Sequence, residues 1–434
     1  MLKMKKTFLI VWLTMVIILA ISVVSFAEEV ILRFSWWGGQ DRLERTLKVI
    51  ELFEEKYPNV KIEPECIGYG EYYQRLAVQS AGKNLPDIMQ NDAKHVWEYV
   101  EKNLILNLDP YVENNRLNLS NVDETIISTG RSRNTGKLYA ISIGSATVGI
   151  AYDPELFKKA GVEEPTPDWT WEDYIEKAQK IHKALGIYAD HGHKFVFADD
   201  ILDGLWLYLR QHGMEFYDES FTKLGYEDDS LFIDFYNIFA DLVKDGVNAP
   251  AWIVGEIDHS DYGQWLITKQ KAAMTPLSSN MFVALVKTAG RPLSLALPPN
   301  AKDQVQYGLW IKPSQFLTGA ENSKYPEWVV KFIDFFTNDL EANKILLTER
   351  GVPISSEIRQ GISPYITGAE KQTVDYFDLV EKYSSSVVYD FPIANAKVME
   401  LLSRTVERIF YGELTMEEAA IEFRENANKI LAEK

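Results

Sequence analysis

From Glu29 onward the chain alternates short β-prone runs with stretches of helical periodicity, and the alternation persists along most of its length. Val30 to Phe34 is a β run broken by Trp36-Trp37-Gly38-Gly39, after which Leu43, Leu47, Ile50 and Phe53 recur at spacings of four and three. Asp41 is placed to cap that helix, Pro58 stops it, and Val60 to Ile62 begins the next strand. A helix over 72–81 and a strand at Asp87-Ile88-Met89 repeat the unit. The rhythm returns at Ile150–Tyr152, Trp171–Leu185, Leu231–Val243 and Ala272–Met274, and Thr170 with Asp173 forms a capping box ahead of its helix. This is the pattern of an α/β protein whose parallel strands are covered by helices on both faces.

The N-terminus stands outside that pattern. Lys3, Lys5 and Lys6 precede an apolar run from Phe8 to Val24, and Ser25-Phe26-Ala27 ends in the small-residue pattern of a signal-peptidase site. Residues 1–27 therefore read as an export signal, with the working chain beginning near Glu28; an uncleaved anchor is the alternative, because the run is long enough to span a bilayer. No cysteine precedes Cys66, so there is no lipid-attachment site at the cut. Removing 27 of 434 residues leaves 407, more than one core usually supports, so two domains are expected. Cys66 has no partner in the chain, and packing rather than disulfides must hold an exported protein of this size. The formal charge of -18, or -21 without the three lysines, excludes nucleic acid and anionic membrane as partners that bind through phosphate neutralisation.

Beyond residue 320 the sequence turns mainly helical, at Glu327–Phe336, Glu341–Thr348, Asn395–Phe410 and Met416–Leu431, a block expected to pack on one lobe. Several segments in order then carry a family resemblance. They are the Trp-Trp-Gly opening that runs to Phe53-Glu54-Glu55-Lys56-Tyr57-Pro58, Tyr72-Tyr73-Gln74-Arg75-Leu76, Leu85-Pro86-Asp87-Ile88, Gly136-Lys137-Leu138-Tyr139-Ala140, Ile150-Ala151-Tyr152-Asp153-Pro154, Trp169-Thr170-Trp171, Lys271-Ala272-Ala273-Met274 and Gly412-Glu413-Leu414-Thr415. Their order and spacing resemble the family 1 extracellular solute-binding proteins of ABC sugar importers, the group that includes maltose- and oligosaccharide-binding proteins. The resemblance implies a type II periplasmic-binding-protein fold: two α/β lobes, hinge-connected, with a ligand cleft between them. It places hinge crossings near Ile141–Ser145, Leu295–Pro298 and Arg350–Pro353, with an N-terminal lobe of 28–143 plus 297–351 and a C-terminal lobe of 144–296 plus 352–434.

Open parallel sheets bind ligands at the carboxyl ends of their strands, so the loops there are the candidate site. Trp36 and Trp37 follow the first strand, and because adjacent strand residues point to opposite faces, one indole is expected inward and one toward ligand. Gln40 and Asp41, then Tyr69 and Glu71, offer polar and aromatic groups at the same rim, and Asn91 and Asp92 follow the strand at 86–89. Amides and carboxylates suit sugar hydroxyls, and aromatic faces suit the C–H patches of sugar rings. In the second lobe the candidates are Asp200, Trp206, Trp252, Ser279, Asn280, Tyr389 and Phe391, with Trp310 and Arg350 at the crossings. Many maltose-type relatives carry Gly-Pro-Trp where Ser278-Ser279-Asn280 stands, so a stacking ring is replaced here.

No His-Glu-x-x-His, Gly-x-Ser-x-Gly or phosphate-loop motif occurs, and Asp190-His191-Gly192-His193 lacks the spaced ligands of a closed zinc site. The expectation is a monomeric, non-catalytic, extracytoplasmic receptor without cofactor, which captures a carbohydrate and delivers it to the permease subunits of an ABC importer. The alternatives are a binding protein for a cationic ligand such as a polyamine, caged by aromatics and acids, and a secreted carbohydrate-active enzyme.

Overall fold

The computed structural model describes residues 29–93, 95–190, 204–257, 261–385, 391–392 and 394–433. The expected export segment, with Asp200 and Tyr389, lies outside them. Nine strands occur among the described residues: β1 Val30–Trp37, β2 Val60–Ile67, β3 Ile88–Asn91, β4 Ile141–Ala146, β5 Val148–Tyr152, β6 Tyr188–Asp190, β7 Ala272–Ser278, β8 Ser294–Ala296 and β9 Lys312–Gly319. They form two sheets, ordered β2-β1-β3-β9-β4 and β6-β7-β5-β8.

The sheets are mixed rather than wholly parallel. β1 runs parallel to β2 and β3, and β6 to β7, as the βαβ rhythm predicts. β9 is antiparallel to β3 and β4, while β5 is antiparallel to β7 and β8. The reason lies in the links. Only Thr147 separates β4 from β5, so the chain enters the second sheet at the edge where it leaves the first, and β5 must run away from that edge. β9 returns to the same edge of the first sheet and likewise runs away from it.

Each sheet has its own core. Val30, Leu32, Phe34 and Trp36 alternate onto one face of β1, where Val49, Ile50 and Phe53 of the helix Gln40–Lys56 and Phe332 and Phe336 of the helix Pro326–Asn338 cover them. Trp37 lies on the other face with Tyr72, Leu76 and Met89. The second core joins Ile150 and Tyr152 to Trp171, Tyr174, Trp206, Phe235 and Phe239. The late helices divide between the two: Pro326–Asn338 and Leu340–Leu346 pack on the first core, Asn395–Phe410 and Met416–Ala432 on the second, because the chain crosses between them.

The segment after β8 also packs otherwise than the sequence implied. Leu297, Ala301, Leu309 and Trp310 belong to the second core, and only at Ile311 does the chain touch both. Trp169 Nε1 donates to the Leu297 carbonyl at 2.8 Å, Gln211 Nε2 to Pro299 at 2.8 Å and Arg210 Nε to Gly308 at 3.0 Å, so this strap's carbonyls are satisfied by second-core side chains. The Thr170–Asp173 capping box forms as expected, with its double at Thr415 and Glu418. Asp41 does not cap: Gly39 holds that position, and Asp41 accepts instead from Arg45 Nε one turn on, at 3.0 Å.

Candidate functional site

The two sheets present the ends of β1, β3, β4 and β7 to a common edge, joined through Thr147. Ser279 N–H donates to the Thr147 carbonyl at 2.8 Å and Thr147 N–H donates to Ser279 Oγ at 3.2 Å, so the residue expected to face ligand is 1% exposed and knits the crossing to the end of β7. Next to it, the half-buried Asn280 leaves its Oδ1 without a partner among the described residues, as does Ser145 Oγ at the end of β4.

On the first-sheet side, period-two alternation separates the paired indoles. Trp36 is fully buried and tilted against Phe34 at 4.7 Å between centroids, so it is a core side chain with no face for ligand. Trp37, 9% exposed, meets the rings of Tyr69 at 5.5 Å, Tyr72 at 5.2 Å and Tyr73 at 5.7 Å. Burial pushes the Tyr72 and Tyr73 hydroxyls well above the usual phenol range, so both remain neutral. Tyr69 OH donates to Asp92 Oδ2 at 2.8 Å, His95 lies 2.8 Å from Asp92 Oδ1 through Nδ1, and the Asp92 N–H donates to Tyr73 OH at 2.9 Å. The His95 ring stacks on Tyr73 with centroids 3.7 Å apart. Asp92 is thus a carboxylate fixed by its neighbours at an aromatic wall. Neither Tyr73 nor His95 was singled out in the sequence, although the Tyr72-Tyr73 pair in a helix start carried the signal.

The other first-sheet candidates stand apart from this wall or beneath it. Gln40 and Asp41 are exposed on the first helical turn, where Gln40 Nε2 donates to Glu44 at 2.8 Å, and Glu71 is exposed. Asn91 is buried, with Nδ2 donating to Thr318 Oγ1 at 2.7 Å. Arg350 is 3% exposed and bonded to Glu349, Gln90 and Thr46, so it is not a clamp reaching ligand; burial draws its guanidinium down to about 9, opposed by Glu349.

On the second-sheet side Trp206, Trp310 and Phe391 form one aromatic group, with centroids 4.4 Å apart for the indoles and 5.5 Å for Trp206 and Phe391. Trp310 is fully buried and serves the core. Trp206 Nε1 donates to Glu215 Oε2 at 2.9 Å. Trp206 and Phe391 line a cavity of about 1020 Å³ with Phe216, Tyr217, Phe221 and Arg133. Arg133 lies 4.2 Å over the Phe221 ring, bringing a first-sheet loop against the second-sheet one. The sequence reading missed this loop, though its run of Phe216, Tyr217, Phe221 and Tyr226 between helices marks it. Trp252 is 62% exposed on the short helix Ala251–Val254, whose Val254 belongs to a separate small cluster with Ala249, Leu266 and Ala272.

A pair of sheets whose strand ends share one edge, with an aromatic wall and a fixed carboxylate there, is the geometry of a binding crevice. The family described as bacterial extracellular solute-binding protein matches residues 40–341. The chain belongs to that family. A solved member, extracellular solute-binding protein family 1 from Alicyclobacillus acidocaldarius, is 29% identical, with a TM-score of 0.77 over 93% of this chain and 99% of that one. The oligogalacturonide-binding protein of Yersinia enterocolitica shares the fold of this solute-binding protein at 24% identity and a TM-score of 0.76, covering 93% of this chain and 99% of that one. The arabinooligosaccharide-binding protein of Bacillus subtilis is 28% identical over 145 residues, so that match spans about a third of each chain, 32% of both. Among the described residues no helix of this solute-binding protein is long and apolar enough to cross a membrane, and no group of three potential metal ligands occurs.

Proposed function

We propose that this solute-binding protein captures an oligosaccharide outside the cytoplasm and presents it to the membrane permease of an ABC importer, without catalysing a reaction. The observation that carries the reading is the wall of Trp37, Tyr69 and Tyr73 around the fixed Asp92, because sugar recognition needs apolar ring faces beside acceptors for hydroxyls. The likeness to an arabinooligosaccharide-binding protein supports it. Residues 1–27 act as the export signal, and the chain works as a monomer.

The packing supports a division in which 297–310 moves to the second lobe, while β4 through Ala146 and the return as far as Ile354 stay with the first. Ligand touching both lobes then favours the closed form by differential contact, the only way in which binding shifts a hinge equilibrium. Asp92, Tyr69, Trp37 and Asn280 are the proposed ligand contacts, with Trp206 and Phe391 behind the opposite wall.

Tryptophan fluorescence titration against arabino-, malto- and other neutral oligosaccharides tests this: one sugar should saturate the signal without turnover, and silence across the panel would count against a sugar receptor. Appearance of product over time would make it an enzyme. A second reading, a cationic ligand, draws on the cavity beside Trp206, whose lining holds Glu215, Asp218, Glu219, Glu227 and Asp228 against Arg133 and Lys223, with Glu215 already paired to the buried Arg210. Its mark is polyamine binding that weakens steeply with salt.

A further inference from the structure

Arg350 lies under the ligand wall rather than in it. A guanidinium has only N–H donors. Arg350 Nη1 donates to Glu349 Oε2 at 2.8 Å, Nη2 to Thr46 Oγ1 at 2.8 Å and Nε to Gln90 Oε1 at 3.2 Å. Because Arg350 can accept nothing, Gln90 must turn its oxygen toward it, and the amide nitrogen is left facing the Trp37 carbonyl at 3.2 Å. The same carbonyl accepts from Arg42 Nη1 at 3.2 Å, and Arg42 Nε is held by Glu349 Oε1 at 2.6 Å. Arg42 and Gln90 therefore meet on the carbonyl of Trp37, ahead of the Gly38-Gly39 turn, and Glu349 and Arg350 hold those two side chains from behind.

The backbone around Arg350 is tied to β9 and β4, the strands that flank the crossing at Thr147. The Arg350 carbonyl accepts from Ser314 Oγ on β9. Two residues on, Val352 exchanges both backbone hydrogen bonds with Ser145, at 3.0 and 2.7 Å, just before the chain crosses at Thr147. Gly351 between them has φ +102°, and a Cβ there would lie 2.8 Å from the Ser145 carbonyl, so this connection has little freedom to slide.

We propose that Arg350 is a positioning residue for the ligand site: through Gln90 it fixes the Trp37 loop to the crossing strands, so affinity depends on a side chain that ligand never touches. The proposal rests on the reading of the Trp37 loop as a ligand wall. If the cluster served packing alone, its loss would lower stability and leave the loop and the affinity alone.

The test uses the mature chain as wild type, Gln90→Leu, Arg350→Lys and the double variant. Gln90→Leu keeps the side-chain volume and leaves Arg350 with Glu349 and Thr46. Hydrogen exchange of ligand-free protein is followed in a peptide spanning 38–45 and in one spanning 231–244 of the second core, beside fluorescence titration with an arabino-oligosaccharide and a maltodextrin. Exchange over 38–45 should quicken about tenfold in both single variants with 231–244 unchanged, affinity should fall about tenfold, and the double variant should be no weaker than either single one. Unaltered exchange over 38–45 overturns the proposal whatever the sugars do. Quickened exchange with wild-type affinity for a sugar overturns the positioning role. A wild type that binds neither sugar overturns the reading of the function, while the exchange arm still decides whether Arg350 holds the loop.

Discussion

Replacing Trp36 and Trp37 singly by alanine separates a core indole from a ligand-wall indole on neighbouring residues. Trp36 is fully buried against Phe34, so truncation leaves a cavity in the first core at a cost of about 3–5 kcal/mol. Trp37 is 9% exposed, and its removal forfeits a similar transfer energy plus about 0.5–1.5 kcal/mol for each of its three tyrosine contacts. Stability alone therefore does not tell them apart. Affinity does, because Trp37 and not Trp36 belongs to the proposed ligand wall. Losing one stacking face and loosening the wall should weaken sugar binding by about 10- to 100-fold, that is about 1.4–2.8 kcal/mol, whereas Trp36→Ala should bind within about threefold of wild type once folded. Urea unfolding followed by circular dichroism gives the first quantity. Calorimetric titration, at a temperature where both variants are folded, gives the second. A folded Trp37→Ala protein with wild-type affinity would refute the assignment of faces, as would a Trp36→Ala protein that loses affinity without losing stability.

Gly308→Ala should destabilise by about 1–3 kcal/mol, since its Cβ would stand 2.2 Å from the Leu207 carbonyl; an unmoved urea midpoint would detach the 297–310 strap from the second core. Thr170→Ala should cost about 1 kcal/mol through loss of the cap on Asp173 N–H. Asp173 has its carboxyl held below the usual range, chiefly by the Thr170 N–H, so its contribution is fully present above its ordinary value of 3.8 and is lost as pH falls through the lowered one. The stability gap between wild type and Asp173→Asn should accordingly close only in that acid window. Trp252→Ala should change stability by less than about 0.5 kcal/mol and leave sugar affinity intact, measured by the same unfolding and titration, because the ring is 62% exposed on a helix whose Val254 packs in a separate small cluster.

Local chemistry was legible in the chain itself. The capping box at Thr170, the strand-helix alternation, the opposite orientation of Trp36 and Trp37 and the family all follow from residues close together in sequence, where periodicity and hydrogen-bonding geometry act over a few bonds. Which indole joins the first-sheet core and which meets the tyrosines was not legible, because it depends on Phe336 and Tyr69 arriving from distant segments. Arg350 is a candidate ligand contact by sequence position, but its partners Gln90 and Thr46, 260 and 304 residues away, enclose it. Arg133 reaches the aromatic loop at Phe221 only after the first-sheet segment folds against the second. The late helices read as one block in sequence and divide between two cores, since the chain leaves the first core after Ile354 and next joins the second at Tyr376, a passage that composition does not mark. Sequence alone determined the alternation of strands and helices, the capping box at Thr170 and the membership in a binding family. The tertiary structure alone decided which of the candidate polar and aromatic side chains are enclosed in the cores and which are left exposed, because burial is set by the surfaces a residue meets, and those come from elsewhere in the chain.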